Sequence, residues 1–368
     1  MIGWRLDLKT NFSMQPNSSC KFLSNGIKFE VTENQKEIVV KPCCKWQDGP
    51  VIALESSVQQ YQLYRNSVGH KNYQNLKWCN ACVRDELAGA KSMRKVADLL
   101  VSQDSQWGDP THVEFQFDTT CNAACIMCGP KFSSLWRQQS HLVKNIHFQP
   151  IEFDPMAAIM QRIDIQKIRS IAFVGGEPML TRHDITLLQA IQQPELVTLA
   201  YVTNGSIYPG FQKQELWQRF KKVKIALSLD GVGARYDYVR YPLEWTQVQD
   251  NVSRMRSDMP WAVFFTNYTA NILNFYYYQE FHAWLQQSNL TSSVPHYNIA
   301  NGILSPNSVP PKLARLVIDR YGVDHQTSKT VLKTSNNHTE VVNYLDKLDQ
   351  QRQTNWRQTF PEVASCFD

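Results

Sequence analysis

Apolar and polar residues alternate with a period of two in "IKFEV" (27–31), "EIVVK" (37–41) is a short β-branched run, and polar "TENQ" lies between them, a pattern that predicts a β-hairpin. Next, "CVRDELAGAKSMRKVADLL" (82–100) takes helical spacing, with Leu87, Val96 and Leu99 or Leu100 as candidate core positions and Gly89 weakening its middle. Polar "VSQDSQWGDP" (101–110) ends in Gly-Asp-Pro and marks an expected domain boundary. From 112 onward the pattern changes to strand, loop, helix, repeated. The expected strands are "HVEFQF" (112–117), "SIAFV" (170–174), "TLAYV" (198–202), "VKIALSL" (223–229), "AVFFTNY" (262–268) and "SVPHYNI" (293–299). Amphipathic stretches such as "HDITLLQAIQQ" and "WTQVQDNVSRMR" separate them, so the expectation is an α/β fold of parallel βα units curled into a barrel or partial barrel. In such sheets ligands sit at the carboxyl ends of the strands. Chemistry is therefore expected in "DTTCNAACIMCG", "GGEPML", "TNGS" and "DGVG", the loops after the first four of these strands. The last 60 residues or so, from "SPNSVPPKLARLVIDRYG", read as helices covering one end of the barrel.

Composition narrows the class. A chain of 368 residues, 43% hydrophobic, can bury one large core or two unequal ones. The net charge of +5 is spread along the chain, and "RFKKVK" (219–224) reads as a solvated helix end, because no aromatic residues interleave with basic ones there. Nucleic acid is not indicated. No run of eighteen apolar residues appears, and "MIGWRLDLKT" has neither the basic segment nor the apolar stretch of a signal peptide, so a soluble, cytoplasmic protein without a membrane partner is expected.

Nine cysteines are too few for a disulfide scaffold of this length, and their clustering points to metal or redox chemistry. Cys121, Cys125 and Cys128 form C-x3-C-x2-C, a spacing expected by chance only about 0.005 times per chain of this composition. Zinc would want four ligands, whereas only three cysteines are local and no histidine is near. Three thiolates on a four-iron cluster leave one iron free to take a substrate or cofactor.

C-x3-C-x2-C directly after a first strand resembles the signature of the radical S-adenosylmethionine (SAM) superfamily. Met127 stands where that family usually carries an aromatic near the adenine. "GGEP" (Gly175, Gly176, Glu177, Pro178) resembles the motif that receives the methionine ammonium of SAM; glycine lets backbone approach a ligand and a carboxylate suits an ammonium. Thr203 and Asn204 of "TNGS" resemble polar SAM contacts, Ser228 and Asp230 of "SLDG" match positions that contact the cofactor's carboxylate or ribose, and Arg240 of "YVRYP" matches an arginine that pairs with that carboxylate. The resemblance covers roughly residues 110 to 270. It implies a partial (β/α)6 TIM-type barrel in which a [4Fe-4S] cluster on Cys121, Cys125 and Cys128 cleaves SAM reductively. The 5′-deoxyadenosyl radical then abstracts hydrogen from a substrate, and the protein orients the reactants and excludes water.

The other cysteines form an earlier group. "CNACVRDELAGAKSMR" resembles the C-x2-C-x3-E-x2-G-x2-S-x-R segment of the SPASM and twitch modules of radical SAM enzymes, with Cys79, Cys82, Glu86, Gly89, Ser92 and Arg94 in the matching places. Cys20 and one of the pair Cys43/Cys44 would complete four thiolates for an auxiliary [4Fe-4S] cluster. The module precedes the barrel here, whereas in the best-known members it follows. Zinc fits the same spacing, and both readings stay open. A cluster there would accept an electron from the substrate radical or relay electrons to the first cluster, and an electron donor such as flavodoxin or ferredoxin is implied. Cys366 reads as an incidental thiol, or as a hydrogen donor if the tail folds over the barrel, and "FYYYQEF" (275–281) as an amphipathic helix.

The expected organisation is therefore a small Cys-rich α+β domain (1–108), a radical SAM core (109–300) and a helical C-terminal extension (301–368). The expected substrate is a peptide or protein side chain, with oxidation or rearrangement of a small molecule or nucleoside as an alternative. A noncatalytic metal-binding scaffold is the alternative outside enzymes, and it leaves the open cluster corner without a purpose.

Overall fold

The computed structural model describes residues 20–32, 37–46, 48–69, 73–87, 92–101, 110–117, 119–139, 155–288, 290, 296–300 and 302–367. One sheet organises them. Its order is β3-β2-β1-β4-β5-β6-β7-β8-β9, formed by Gly26–Val31 (β1), Ile38–Lys41 (β2), Ile52–Ala53 (β3), His112–Gln116 (β4), Ser170–Phe173 (β5), Thr198–Thr203 (β6), Lys222–Ser228 (β7), Val263–Ala270 (β8) and His296–Ile299 (β9). β4 to β9 run parallel and in chain order, with helices such as His183–Ala190, Phe211–Gln218 and Trp245–Asp258 between successive strands. All six strands expected after residue 112 are present, although residues 293–295 of the last lie outside the described residues.

The expected hairpin is β1 and β2, paired antiparallel with Lys28 opposite Lys41. Its outer strand β3 continues the meander, while β1 pairs parallel with β4, so the N-terminal strands extend the central sheet. The proposed boundary at 101–110 falls mostly on residues outside the described ones, as does Gly89. The stretch 82–100 contains two helices, Asn80–Leu87 and Met93–Leu100, and Ser92 caps the second by accepting from the Lys95 N–H at 3.2 Å. Serine at an N-cap satisfies a donor that a continuous helix would not leave free.

The two faces of the sheet differ. One carries an aromatic ladder in which Phe29, Phe115, Phe173 and Tyr201 lie in register, with successive ring centroids 5.5, 5.5 and 4.8 Å apart. Trp217, on the helix after β6, packs on Tyr201 at 4.6 Å. Because strand side chains alternate, the intervening residues present the other face: Lys28 and Glu30, then Glu114 and Gln116, then the small Ala172 and Ala200. Small side chains on β5 and β6 leave room above the sheet there. Near the C-terminus, the helix Thr339–Arg352 reaches the loop after β4, where Tyr344 Oη donates to Ile126 O at 3.0 Å and an Arg352 amine to Ala124 O at 2.8 Å.

Candidate active site

The loop after β4 is held by its own serines. Ser134 Oγ accepts from Cys121 N at 3.0 Å and donates to Cys121 O at 3.2 Å, and Ser133 Oγ donates to Ala123 O at 2.6 Å. Trp136 Nε1 donates to Cys125 O at 2.8 Å. From the far side, Ala124 N and Ile126 N donate to Tyr241 O and Val239 O at 2.6 and 3.0 Å, which joins the cysteine loop to the segment carrying Arg240. The Arg352 guanidinium stacks over both Trp136 and Tyr241, with centroid distances of 4.8 and 4.7 Å. Short backbone and serine bonds of this kind fix the loop without using a thiol.

Gly175 and Gly176 open the loop after β5, with φ of 83° and 48°. A Cβ on Gly176 would lie 2.3 Å from the Thr120 carbonyl oxygen, immediately before Cys121, so only glycine allows the two loops to meet. Glu177 is buried and its carboxylate is fully engaged, accepting from Thr203 Oγ1 at 2.7 Å, Met179 N at 3.0 Å and Asn204 N at 2.6 Å. Burial pushes its pKa up, with these donors opposing. Glu177 thus ties the β5 loop to the β6 loop. Asn204 continues the link: its Nδ2 donates to Asn122 Oδ1 at 2.9 Å and its Oδ1 accepts from Ser206 N at 2.9 Å. At the end of β7, Asp230 is fully buried, accepts from Thr269 N at 2.7 Å and pairs with Arg240 at 2.5 Å. Burial pushes the Asp230 carboxyl up while Arg240 opposes it, and Arg240 also approaches Cys125 Sγ at 3.8 Å.

These loops surround one cavity of about 720 Å³, within the usual range of roughly 300–1,000 Å³ for ligand sites. Cys121, Cys125, Met127, Cys128, Gly175, Gly176, Thr203, Asn204, Ser228 and Arg240 all line it. Glu177 and Asp230 stand behind the lining, while Pro178 and Gly175 line a smaller neighbouring cavity with Phe115 and Phe173. Burial, then the neighbouring Cys125, pushes the Cys121 and Cys128 thiols up to about 12. Any metal group bound there must displace their protons.

The earlier cysteines separate into two environments. Cys20, Cys43, Cys79 and Cys82 line a small cavity with Phe22, Tyr73, Trp78 and Arg94. Burial, followed by the other thiols, pushes Cys79 up to about 12 and Cys43 well above its usual value. Cys44, next in the chain, lines the large cavity instead, where burial and Glu114 push it up to about 11. Glu86 gathers the remainder of the motif by accepting from Tyr73 Oη at 2.9 Å, Arg94 Nε at 2.8 Å and Ser92 Oγ. Cys366 is buried, donates to Glu362 O at 3.3 Å and does not line the large cavity.

The donor chemistry of both sets fits iron and sulfur: the large cavity is lined by the three loop thiols together with the Cys44 thiol and the Met127 thioether, and the small one by four thiols. Among the described residues no group of three or more His, Cys, Asp or Glu side chains is arranged to hold one metal ion. Sequence reasoning missed Lys28, Glu30, Lys41, Glu114, Gln116 and Lys131, which also line the large cavity. For Lys28, Glu30, Glu114 and Gln116 the signal was the polar half of the alternation in "IKFEV" and "HVEFQF", in a sheet type whose strands are normally apolar on both faces, whereas Lys41 and Lys131 lie outside both segments.

No protein-family model matches the chain, and no curated protein does. Solved structures similar to it include native anSMEcpe with bound AdoMet, at 14% identity and TM-score 0.41 over 57% of this chain and 59% of that one. Streptococcus suis SuiB bound to S-adenosylmethionine is 13% identical with TM-score 0.39 over 84% of this chain and 72% of that one. TYW1 with a lysine-pyruvate adduct is 16% identical with TM-score 0.25 over 44% and 57%. These three are radical SAM enzymes. The chain spans about three fifths of the anSMEcpe length. With every score below 0.5, the alignments assign no residue a role. Among the described residues no helix is long and apolar enough to cross a membrane.

Proposed function

We propose that the chain is a radical SAM enzyme whose parallel strands form a partial (β/α)6 barrel around the large cavity. One observation carries this reading: the three thiols of the C-x3-C-x2-C loop, the two glycines after β5, Thr203 and Asn204 at the end of β6, and Arg240 line a single cavity. Cys121, Cys125 and Cys128 would hold a four-iron cluster with one iron free of protein ligands, and the glycine backbone, Thr203, Asn204, Ser228 and Arg240 would hold SAM. When bound, this pair supplies an electron and a carbon-centred radical able to abstract hydrogen from a substrate. The chain's own residues orient and enclose the reactants. Glu177 locks two loops to each other, Asp230 holds Arg240, and Arg352 braces the cysteine loop, so the site is preorganised by buried hydrogen bonds.

Cys20, Cys43, Cys79 and Cys82 would hold the auxiliary group, a second four-iron cluster acting in electron transfer, with zinc as the competing occupant. The proposed substrate is a peptide or protein side chain, in keeping with the resemblance of the Glu86, Ser92 and Arg94 segment to SPASM and twitch modules; the proposed electron donor is a flavodoxin or ferredoxin.

Anaerobic reconstitution tests the reading. Wild type should bind about eight irons and Cys121→Ala/Cys125→Ala/Cys128→Ala about four, and the electron paramagnetic resonance signal of reduced wild type should change on adding SAM. A signal indifferent to SAM would sink the proposal, and a count falling from about four to none would assign zinc or nothing to the N-terminal thiols.

A further inference from the structure

The large cavity is walled on one side by strands that precede the SAM-binding loops, and this wall is charged. Lys28 and Glu30 of β1 stand beside Glu114 and Gln116 of β4 in register, and Lys41 of β2 lies opposite Lys28. Lys28, Glu30, Glu114 and Gln116 are only 7, 8, 7 and 3% exposed. Lys28 Nζ reaches Glu30 at 3.0 Å and Glu114 at 2.8 Å, while Lys41 Nζ reaches Glu30 at 2.9 Å and Lys131 Nζ lies 3.8 Å from it. All of these residues line the cavity. Lys28, between two carboxylates, is held protonated, and Glu30 and Glu114 are held ionised despite their burial.

Burying charge is costly, and a buried ion-pair network is weak evidence for stability as its purpose. Donors also outnumber acceptors. Among the described residues three ammonium groups meet two carboxylates, Arg240 is already matched by Asp230, and the further carboxylate in the lining, Asp48, is exposed. Gln116 adds an amide whose Nε2 finds no hydrogen-bond partner among the described residues. Gln116 lines the cavity while its buried amide donor lacks a partner, so a turn of this side chain offers that donor to a ligand acceptor.

We infer that this polar face of β1, β2 and β4 is the substrate subsite, and that it takes a carboxylate of the substrate on Lys41 and Lys131 with a neighbouring carbonyl oxygen on Gln116. The inference rests on the proposed radical SAM function and names its substrate class: an acidic residue or another carboxylate-bearing group. The same chemistry could come from SAM, whose own carboxylate must also be seated, so the test separates the two sources.

The test uses cluster-reconstituted full-length protein and titration calorimetry. First, SAM is titrated into wild type, Lys41→Met, Lys131→Met and Gln116→Met; the expected affinities agree within about twofold. A tenfold or greater loss in the lysine variants would overturn the inference by giving the wall to SAM. Second, with SAM present, N-acetylglutamate amide and N-acetylglutamine amide serve as probes that differ only in the carboxylate. Wild type should bind the acid at least tenfold more tightly than the amide, both lysine variants should lose most of that ratio, and Gln116→Met should weaken both probes. A ratio near one in wild type, or no binding of either probe at about 20 mM, would overturn the inference. Lys131 is 37% exposed, so its variant keeps the test open if Lys41→Met does not fold. Failure of wild type to bind SAM at all would instead strike the radical SAM reading.

Discussion

Replacing Gly176 with alanine should disturb the fold and the site together, and more than the same change at Gly175. Both residues have positive φ, 48° and 83°, where an L-residue costs on the order of 1–2 kcal/mol. They differ in what the new methyl meets. At Gly176 it would lie 2.3 Å from the Thr120 backbone oxygen, which accepts from Glu177 N at 2.7 Å and belongs to the residue before Cys121. Backbone cannot rotate away, so overpacking adds about 1–3 kcal/mol, for a total of about 2–5 kcal/mol. At Gly175 the methyl would meet Gln116 Cγ, also at 2.3 Å, and Cβ at 3.3 Å, so this buried side chain must leave its rotamer, which adds about 0.5–1.5 kcal/mol for a total of about 1.5–3.5 kcal/mol. Urea unfolding followed by tryptophan fluorescence ranks the two variants against wild type, and calorimetry on reconstituted protein reads SAM affinity. Gly176→Ala should also weaken SAM binding at least tenfold, since it pushes the cysteine loop and the glycine loop apart. Equal stabilities for the two variants, or unchanged SAM affinity in Gly176→Ala, would refute the reasoning.

Other perturbations separate the remaining parts of the account. Cys43→Ser should lower the iron count from about eight to about four, while Cys44→Ser keeps it, because only Cys43 faces the cavity of Cys20, Cys79 and Cys82; iron and sulfide assays decide. Arg352→Ala removes a bond to Ala124 O and the stack on Trp136 and Tyr241, so iron retention at the first site should fall on gel filtration while the auxiliary irons stay. Glu86 is held below the usual carboxylate range because the bonds from Arg94, Ser92 and Tyr73 outweigh burial. Its contribution is therefore fully present above the unfolded value of about 4.3 and is lost as pH falls through the depressed folded value. Glu86→Gln should thus melt below wild type at about pH 7, and the difference should shrink toward about pH 3.

The parts of the fold legible in the sequence are those fixed by local periodicity. β4 to β8 lie within two residues of the apolar runs that announce them, and the hairpin strands fall on "IKFEV" and on the apolar run of "EIVVK". Pairing between distant segments is not legible: nothing local says that β1 joins β4, because strand order is decided by long-range burial of Phe29 on Phe115. The same limit applies at the site. Cys43 and Cys44 are adjacent, and period alone does not say which turns to the four-thiol cavity and which to the large one. Glu177 reads as an ammonium partner from its residue type, whereas its three hydrogen bonds come from residues two, 26 and 27 positions away, contacts that only the tertiary structure creates. Arg352, more than two hundred residues from the loop it braces, gives no signal in sequence at all.

The central claim is that the thiols of Cys121, Cys125 and Cys128 and the loops around them form a site that cleaves SAM. Its most direct test is 5′-deoxyadenosine formation by reconstituted protein under dithionite and SAM, measured by chromatography beside Cys121→Ala/Cys125→Ala/Cys128→Ala. The account predicts steady formation in wild type and none in the variant, with the auxiliary irons intact in both. Fully loaded wild type that leaves SAM unbroken, or a variant that still cleaves it, would contradict the account.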